Sequence, residues 1–288
     1  MLIGYAMPQS TVTLSGTASW LTADGGAACI DRKPGRRARL QWRTDGAPAL
    51  AHAVPITVAF TGVQPIRVAA VLGLRNVPVG AQIAINGKRA GDASYTYNFT
   101  GGNTATVAQF ADGTRGAWFI LPAAAEAVLG VEFSLYNNAA GATWATAATV
   151  IDIGELVAMP AVDVEIDREW IDEVADPSES LLSRAAQLVT VGRQAYRRLE
   201  ATLTPDAAAR VRAGGLANGM DWTRLRAELL GDRRAVAIPR WKNAAGAVDL
   251  AEVNRTALYG VGRIGALSHA GGDQFTAGIT FQEVPAIP

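Results

Sequence analysis

The chain has 288 residues, of which 49% are hydrophobic and 18% are charged, and its 26 basic residues equal its 26 acidic residues in number. So apolar a composition excludes a disordered chain, and the neutral balance argues against a nucleic-acid coat and a trap for acidic ligands. With one cysteine, Cys29, and two histidines, His52 and His269, it lacks a disulfide framework and the ligands of most transition-metal sites. Neither a secretory signal nor an apolar window of about 18 residues is present, so we expect a soluble protein of a reducing compartment or one released by another route.

The first half of the chain predicts short strands separated by turns. Strand-like patterns occupy 53–60, 66–74, 81–85, 94–99, 116–121, 130–136 and 147–157. Gly62 with Pro65 is expected to end the first of these runs, and Asn86-Gly87 is the strongest hairpin signal. Residues 122–129, rich in helix formers, are the one candidate for a helical turn. Residues 1–158 are therefore predicted to form a β-sandwich or jelly-roll domain.

The second half begins with a half-buried strand and continues with helices. Apolar and acidic residues alternate over 162–166, which predicts a strand with one buried face. Thr204 before Pro205 predicts the start of one short helix, which Gly214-Gly215 ends. Asp221 predicts the N-cap of a second helix, which Gly231 ends.

The chain is predicted to close with a β-hairpin. Its arms, 258–268 and 274–284, flank the turn residues 269–273. The second arm alternates, which places on one side Phe275, Ala277, Ile279 and Phe281. Residues 159–288 are therefore predicted to form an α+β domain, and the whole chain to be mainly β.

Residues 260–265 match G-x-G-x-x-G, the glycine pattern of dinucleotide-binding sites. In such a site the glycines follow a strand and open a long helix. The residues after Gly265 cannot sustain that helix, because they include Gly271-Gly272 and only 23 residues remain. The pattern is therefore interpreted as glycines of a bent or bulged strand, and no phosphate or cofactor site is predicted here.

An acidic run follows the predicted domain boundary. Its eight carboxylates are Asp163, Glu165, Asp167, Glu169, Asp172, Glu173, Asp176 and Glu179. A facing pair of carboxylates is the requirement for glycoside hydrolysis, and the oxygens of Asp172, Glu173 and Asp176 suit calcium. Alternating charge on an edge strand is also an ordinary device against aggregation. We predict a solvated or interface face here, with no catalytic residue and no metal.

Two arginine-rich stretches balance the acidic run. One is the long stretch 184–240, and the other contains Arg32, Lys33, Arg36, Arg37, Arg39 and Arg43. Neither carries a nucleic-acid recognition motif, and arginine suits paired bonds to carboxylates. Complementary faces between subunits are therefore predicted, in which the acidic strand of one copy meets the arginines of another.

No nucleophile constellation is predicted. Ser178, Ser180 and Ser183 have no neighbouring histidine in the sequence, and the G-x-S-x-G elbow is absent.

A different candidate site is a sugar-stacking platform on one face of the sandwich, formed by Tyr95, Tyr97, Phe99 and Trp118. A place in the core is the more frequent role of such aromatic residues in strands.

Several short segments resemble tail proteins of tailed bacteriophages. Residues 150–156 (VIDIGEL) look like the closing strand of a sandwich domain in that family. Further similar segments are 192–199 (GRQAYRRL), 237–241 (AIPRW), 258–260 (LYG), 278–285 (GITFQEVP) and, loosely, 15–20 (SGTASW). The sandwich half also resembles galactose-binding-like modules.

The resemblance implies a non-enzymatic structural component of the virion, made in the bacterial cytoplasm and placed near the distal tail, baseplate or tip. It implies a homo-oligomer, as a ring or a trimer-like assembly, that joins the tail tube and hub to the fibres. It supplies no catalytic, cofactor-binding or metal-binding residues, and no nucleic acid or membrane is expected as a partner. The alternatives are a virion module that binds a host surface glycan and, third, a glycoside hydrolase.

Overall fold

The fold is that of a computed structural model, which describes residues 1–16, 18–42, 53–99, 103–110, 112–121, 126–139, 142–182, 188–191, 194–231 and 233–284. The strands of the first part of the chain are β1 (Leu2–Gly4), β2 (Ser10–Leu14), β3 (Ser19–Trp20), β4 (Ala38–Gln41), β5 (Ala53–Ile66), β6 (Val68–Leu72), β7 (Ala81–Lys88), β8 (Tyr97–Asn98), β9 (Thr104–Thr106), β10 (Ala108–Gln109), β11 (Arg115–Ile120), β12 (Glu126–Ala139), β13 (Val150–Ile153) and β14 (Glu155–Met159).

The remaining strands are β15 (Ala161–Asp163), β16 (Ile166–Ala175), β17 (Glu179–Leu182), β18 (Leu188–Val191), β19 (Tyr196–Ala207), β20 (Arg234–Ile238), β21 (Leu258–Ile264), β22 (Ser268–Gly271) and β23 (Gln274–Glu283). The helices are α1 (Ala208–Arg212), α2 (Trp222–Glu228) and α3 (Leu250–Thr256), with 3₁₀ helices at Gly25–Cys29 and Ala217–Gly219. The predicted mainly β class is confirmed. No helix within the described ranges has the length and hydropathy that a membrane crossing requires.

The first part of the chain is a β-sandwich, as predicted. A six-stranded sheet has the order β2-β5-β12-β7-β8, with β9 also paired to β7. Facing it are a four-stranded sheet, β10-β11-β6-β14, and a three-stranded sheet, β13-β4-β3. Because alternate residues of these strands are apolar, their inward side chains form one core, which contains Trp42, Ile56, Phe119 and Phe133.

Outside the sandwich, an eight-stranded sheet has the order β15-β1-β20-β21-β23-β19-β16, with β22 paired to β23; we call it the second sheet. Strand β1 therefore lies among the strands of the second half, where Leu2 is opposite both Asp163 and Ile238. One face of this sheet packs on α1 and α2 around Trp222 and Leu225. The division of the chain at 158/159 stays a prediction, although β1 belongs by pairing to the second sheet.

The four-stranded sheet is buried on both faces. Ala69, Val71 and Phe119 point into the sandwich core. The alternate residues, among them Val68 and Trp118, point the other way, into a second apolar cluster formed with β20, β21 and α3. The sandwich and the second sheet are therefore joined by a shared hydrophobic layer.

Three predictions in the first half are wrong in detail. Strand β5 does not end at Gly62 with Pro65 but continues to Ile66, because β12 pairs with it along its length. Asn86-Gly87 is not a hairpin turn: it lies inside β7, where Asn86 pairs with Asn98 and a Cβ on Gly87 would lie 2.9 Å from Phe99. Of the predicted helical turn at 122–129, residues 126–129 are in β12 and 122–125 lie outside the described residues.

The second half confirms some signals and corrects others. Asp221 caps α2 as predicted, since its carboxylate accepts a hydrogen bond from the backbone N–H of Arg224 at 2.8 Å. Thr204 and Pro205 do not start a helix, because β19 continues to Ala207 in register with β23. Helix α3, which Asp249 caps, was not predicted. The C-terminal hairpin and the buried face of β23 are confirmed, but the predicted turn 269–273 is too long, because residues 268–271 form the separate strand β22.

The G-x-G-x-x-G pattern lies in and just after β21, as predicted. A Cβ on Gly260 would lie 1.9 Å from the backbone oxygen of Gln282, and one on Gly262 would lie 2.2 Å from the ring of Phe281. These glycines therefore permit close strand packing, which is a structural reason for the pattern.

We expect Gly260→Ala to lower the free energy of unfolding by about 1–3 kcal/mol, because the added methyl group forces β21 and β23 apart. Urea unfolding measures this change. The matched control is Gly278→Ala on β23, where no atom lies within 4 Å of the added Cβ. Equal losses of stability in the two variants would contradict this explanation of the glycine pattern.

Candidate functional site

Two carboxylates of the acidic run are bonded to cations of the same chain. Asp163 contacts the N-terminal ammonium at 3.6 Å and Lys242 Nζ at 3.2 Å. Asp172 accepts hydrogen bonds from Arg197 Nε at 3.3 Å and Nη2 at 2.7 Å. These two carboxylates therefore have cationic partners within the chain, and the contact of the acidic strand with arginines of another subunit stays a prediction.

Among the described residues, no metal site is formed, and the one described histidine lies against an aromatic ring. In the described part of the chain, no group of three or more His, Cys, Asp or Glu side chains is placed to hold a metal ion, so the calcium alternative is not formed by Asp172, Glu173 and Asp176. The ring of His269 contacts Phe275, with centroids 5.4 Å apart. His52, Arg43 and Ser183 lie outside the described residues.

The predicted aromatic platform is mostly buried. Trp118 is 3% exposed in the layer shared with the second sheet, and Phe99 is 1% exposed in the sandwich core. Tyr97 is half-buried, and the guanidinium of Arg89 lies 4.3 Å from its ring centre. The four aromatic residues therefore do not form one open face, and the core interpretation is correct for Trp118 and Phe99.

An open groove lies instead along the edge of the sandwich. Strand β2 ends the six-stranded sheet and β3 ends the three-stranded sheet, and the groove lies beside them with a volume of about 570 Å³. We call it the Trp20 groove; its lining residues are Ser10, Thr11, Val12, Thr13, Leu14, Ala18, Ser19, Trp20, Asp24, Gly26, Ala27 and Ile30.

Local sequence shapes the Trp20 groove. Val12 and Leu14 pack against the sandwich core, whereas Thr11 and Thr13 are exposed, as the alternation of β2 requires. The 3₁₀ helix lies directly against this strand, because a Cβ on Gly26 would be only 2.6 Å from that of Val12.

The groove combines an aromatic ring with polar groups. Trp20 is half-buried, and its backbone pairs with Leu40. The exposed carboxylate of Asp24 forms an ion pair with Arg36, and hydroxyl groups come from β2 and Ser19. Small-molecule sites commonly have this composition, an apolar surface with a few directed polar groups. The sequence prediction missed this site; its available signals were the alternating segment 10–14 and the tryptophan that follows it.

A buried carboxyl group lies where the four-stranded sheet of the sandwich meets the second sheet. Glu155 is 0% exposed, and its Oε1 accepts hydrogen bonds from the backbone N–H of Arg32 at 3.3 Å and from Tyr259 at 3.4 Å. Burial, with a smaller effect of Asp31, raises the pKa of Glu155 to about 8. Glu155 is therefore a mostly neutral structural group at pH 7. Burial likewise raises the pKa of the Cys29 thiol, so this cysteine is unreactive.

Glu155→Gln is expected to weaken the pH dependence of stability. Between pH values of about 4.5 and about 8, the unfolded chain has lost the proton that folded Glu155 keeps. The free energy of unfolding of the natural chain therefore falls as pH rises through this range, with a slope from this group of up to about 1.4 kcal/mol per pH unit.

Urea unfolding at several pH values measures that slope. Glutamine resembles the neutral carboxyl group, so the variant should keep near pH 8 the stability that the natural chain loses. The control is Glu252→Gln on α3, whose exposed partner is Arg255. Identical slopes for the natural chain and Glu155→Gln would show that the buried carboxyl does not titrate as described.

Comparisons with known proteins add a weak structural likeness. No protein-family model and no curated protein matches the chain. Among solved structures, it is similar to CBM32-3 from a family 31 glycoside hydrolase of Clostridium perfringens, with 13% identity, a TM-score of 0.36, and coverage of 51% of this chain and 90% of that one.

Two further structures have similar values. CBM32-1 of a family 31 glycoside hydrolase of the same organism has 14% identity and a TM-score of 0.34, over 54% of this chain and 96% of that one. The family 32 CBM of C. perfringens NanJ, in complex with galactose, has 15% identity and a TM-score of 0.33, over 55% and 99%. With such scores, these likenesses carry no argument about the ligand of this chain.

Proposed function

We propose that this chain is a glycan-binding protein whose sandwich binds a sugar in the Trp20 groove. One observation carries the proposal: an open groove at the sandwich edge is lined by a half-buried tryptophan, by serine and threonine residues and by the exposed Asp24, whose carboxylate pairs with Arg36. Its volume of about 570 Å³ is within the range of small-molecule sites.

The chemistry of these groups suits a sugar. A sugar ring has an apolar face of C–H groups, which can lie on the indole of Trp20, while its rim of hydroxyl groups needs hydrogen-bond partners. Asp24 offers acceptor oxygens and Arg36 offers donors, and bonds to charged groups are the stronger kind. Sugar binding of this kind breaks no covalent bond, so the proposal includes the prediction that the chain is not an enzyme.

We expect Trp20→Ala and Asp24→Ala each to abolish or strongly weaken binding on a glycan array. Trp20 also packs on the sandwich core, whereas the side chain of Asp24 is 56% exposed, so Asp24→Ala tests the groove without disturbing the core. Thermal unfolding checks that both variants are folded.

The matched aromatic control is Tyr97→Ala, which removes a half-buried ring outside the groove. This variant should bind as the natural chain does. If Tyr97→Ala removes binding while Trp20→Ala and Asp24→Ala keep it, the sugar site is at the other aromatic group and the groove assignment is wrong.

A second proposal, that the chain is a structural subunit of a bacteriophage tail that assembles with copies of itself, draws on the sequence resemblance and on strand β16. This strand ends the eight-stranded sheet, and the pairing found for it in the described part of the chain is with β19. It exposes Ile171 by 57% and Val174 by 70%. An edge strand with exposed apolar side chains is a surface on which a second copy can pair. The proposed partners remain the tube, hub and fibres of the virion.

Ile171→Lys with Val174→Lys is expected to lower the oligomer mass measured by light scattering at high protein concentration. Charge reversal at Asp163 is not a clean test, because this residue bonds to the N-terminal ammonium and Lys242. The control is Leu230→Lys, a residue 60% exposed outside the sheet. If the natural chain and both variants share one monomeric mass, assembly through β16 is excluded.

A further inference from the structure

Three arginines from separate segments line one pocket of the sandwich. Arg37 precedes β4, Arg75 follows β6 and Arg115 begins β11, and they meet around a space of about 290 Å³. The other lining residues are Gly73, Leu74, Asn76, Gly113 and Thr114. Of the described residues that line this arginine pocket, none is acidic.

No carboxylate of the described residues is bonded to Arg37. Its neighbours in the sequence differ: Arg36 pairs with Asp24 and Asp31, and Arg39 forms two bonds to Asp152, at 2.7 and 3.1 Å. Within the described residues, Arg37 Nε is buried and has no hydrogen-bond partner.

The electrostatics agree with this geometry. Burial and then the nearby charge of Arg75 lower the pKa of Arg37, against the opposing effect of Asp152. Both carboxylate oxygens of Asp152 are already bonded to Arg39. Two guanidinium groups therefore lie close together, and among the described residues the carboxylate that acts on Arg37, Asp152, is hydrogen-bonded to Arg39 instead. An anion would stabilise this arrangement.

The walls of the pocket are held in place by backbone turns and by side-chain hydrogen bonds. Gly73, Asn76 and Gly113 have positive φ angles of 68°, 60° and 80°, which turn two loops toward each other. Arg115 Nη1 donates to the carbonyl oxygen of Val77 at 2.8 Å, and Asn76 Nδ2 donates to that of Val150 at 3.1 Å. The pocket is therefore formed before any ligand binds.

We propose that the arginine pocket binds a phosphate or sulfate group, either as the free ion or as a substituent of a sugar. Guanidinium groups bond to such oxyanions through paired N–H donors, and several arginines around one point suit a multiply charged group. A recess lined by three arginines suits one such group, not an extended polyanion. This inference stands without the Trp20 groove, which has different lining residues.

The test is calorimetric titration of the natural chain with inorganic phosphate, with sulfate and with glucose 6-phosphate, at constant ionic strength. Arg37→Gln and Arg75→Gln should each weaken binding at least ~10-fold, because each removes donors from the pocket. Arg37→Lys keeps the charge and should lose less affinity than Arg37→Gln. The control is Arg255→Gln on α3, which changes the net charge equally and should bind as the natural chain does.

Each outcome either identifies the bound anion as a free ion or a sugar substituent, or overturns the inference. Tighter binding of glucose 6-phosphate than of phosphate, with no binding of glucose, assigns the site to a sugar substituent, and equal binding assigns it to the free ion. Equal affinity in all four variants, or no binding at all, overturns the inference. Tighter binding of a short single-stranded oligonucleotide than of either phosphate compound would overturn the small-anion assignment. Trp20→Ala leaves the arginine pocket intact. A failure of the anion-binding proposal is therefore distinguishable from a failure of the sugar-binding proposal for the Trp20 groove.

Discussion

The burial of the four-stranded sheet on both faces is the constraint on which the rest of the structure depends. Its strands β6, β11 and β14 send alternate side chains into the sandwich core and into the layer shared with the second sheet. Each large apolar side chain that is fully buried contributes about 1.5–3 kcal/mol relative to an exposed one. This layer joins the four-stranded sheet of the sandwich to the second sheet, and within it Tyr259 donates a buried hydrogen bond to Glu155.

This constraint determines where ligands have access. One broad face of the sandwich is covered by the second sheet, so Trp118 cannot serve as an open stacking surface. The Trp20 groove lies beside the edge strands β2 and β3, and the arginine pocket lies among the segments that precede or follow β4, β6 and β11. Both proposed sites are therefore at the margins of the sheets, where loops and edge strands leave backbone and polar side chains open to a ligand.

Local signals in the sequence predicted elements well where neighbouring residues decide the structure. The alternation in β23 and the cap at Asp221 are of this kind. The Asn86-Gly87 signal failed because the same dipeptide also suits a strand in which Gly87 must leave room for Phe99. The apolar run of β11, with buried residues on both faces, was the available sign of a doubly covered strand.

The candidate sites depend on contacts that sequence spacing does not show. Acidic and basic residues are segregated along the chain, which suggested partners on other subunits, yet the β-sheets bring Arg39 to Asp152 across 113 positions. Within the described part of the chain, Arg36 and Arg39 have such acidic partners and Arg37 does not. The Trp20 groove likewise joins the edge of one sheet to a 3₁₀ helix, a proximity that follows from packing and from Gly26.

The most direct test of the sugar-binding account is a nitrogen-15 NMR titration with a soluble form of the tightest glycan from an array. The chain has seven tryptophans, each of which gives its own indole N–H signal. The account predicts that the Trp20 signal shifts progressively as sugar is added, while the signals of the buried Trp118 and Trp222 stay in place. A shift confined to other indoles, with the Trp20 signal unmoved at saturation, would contradict it.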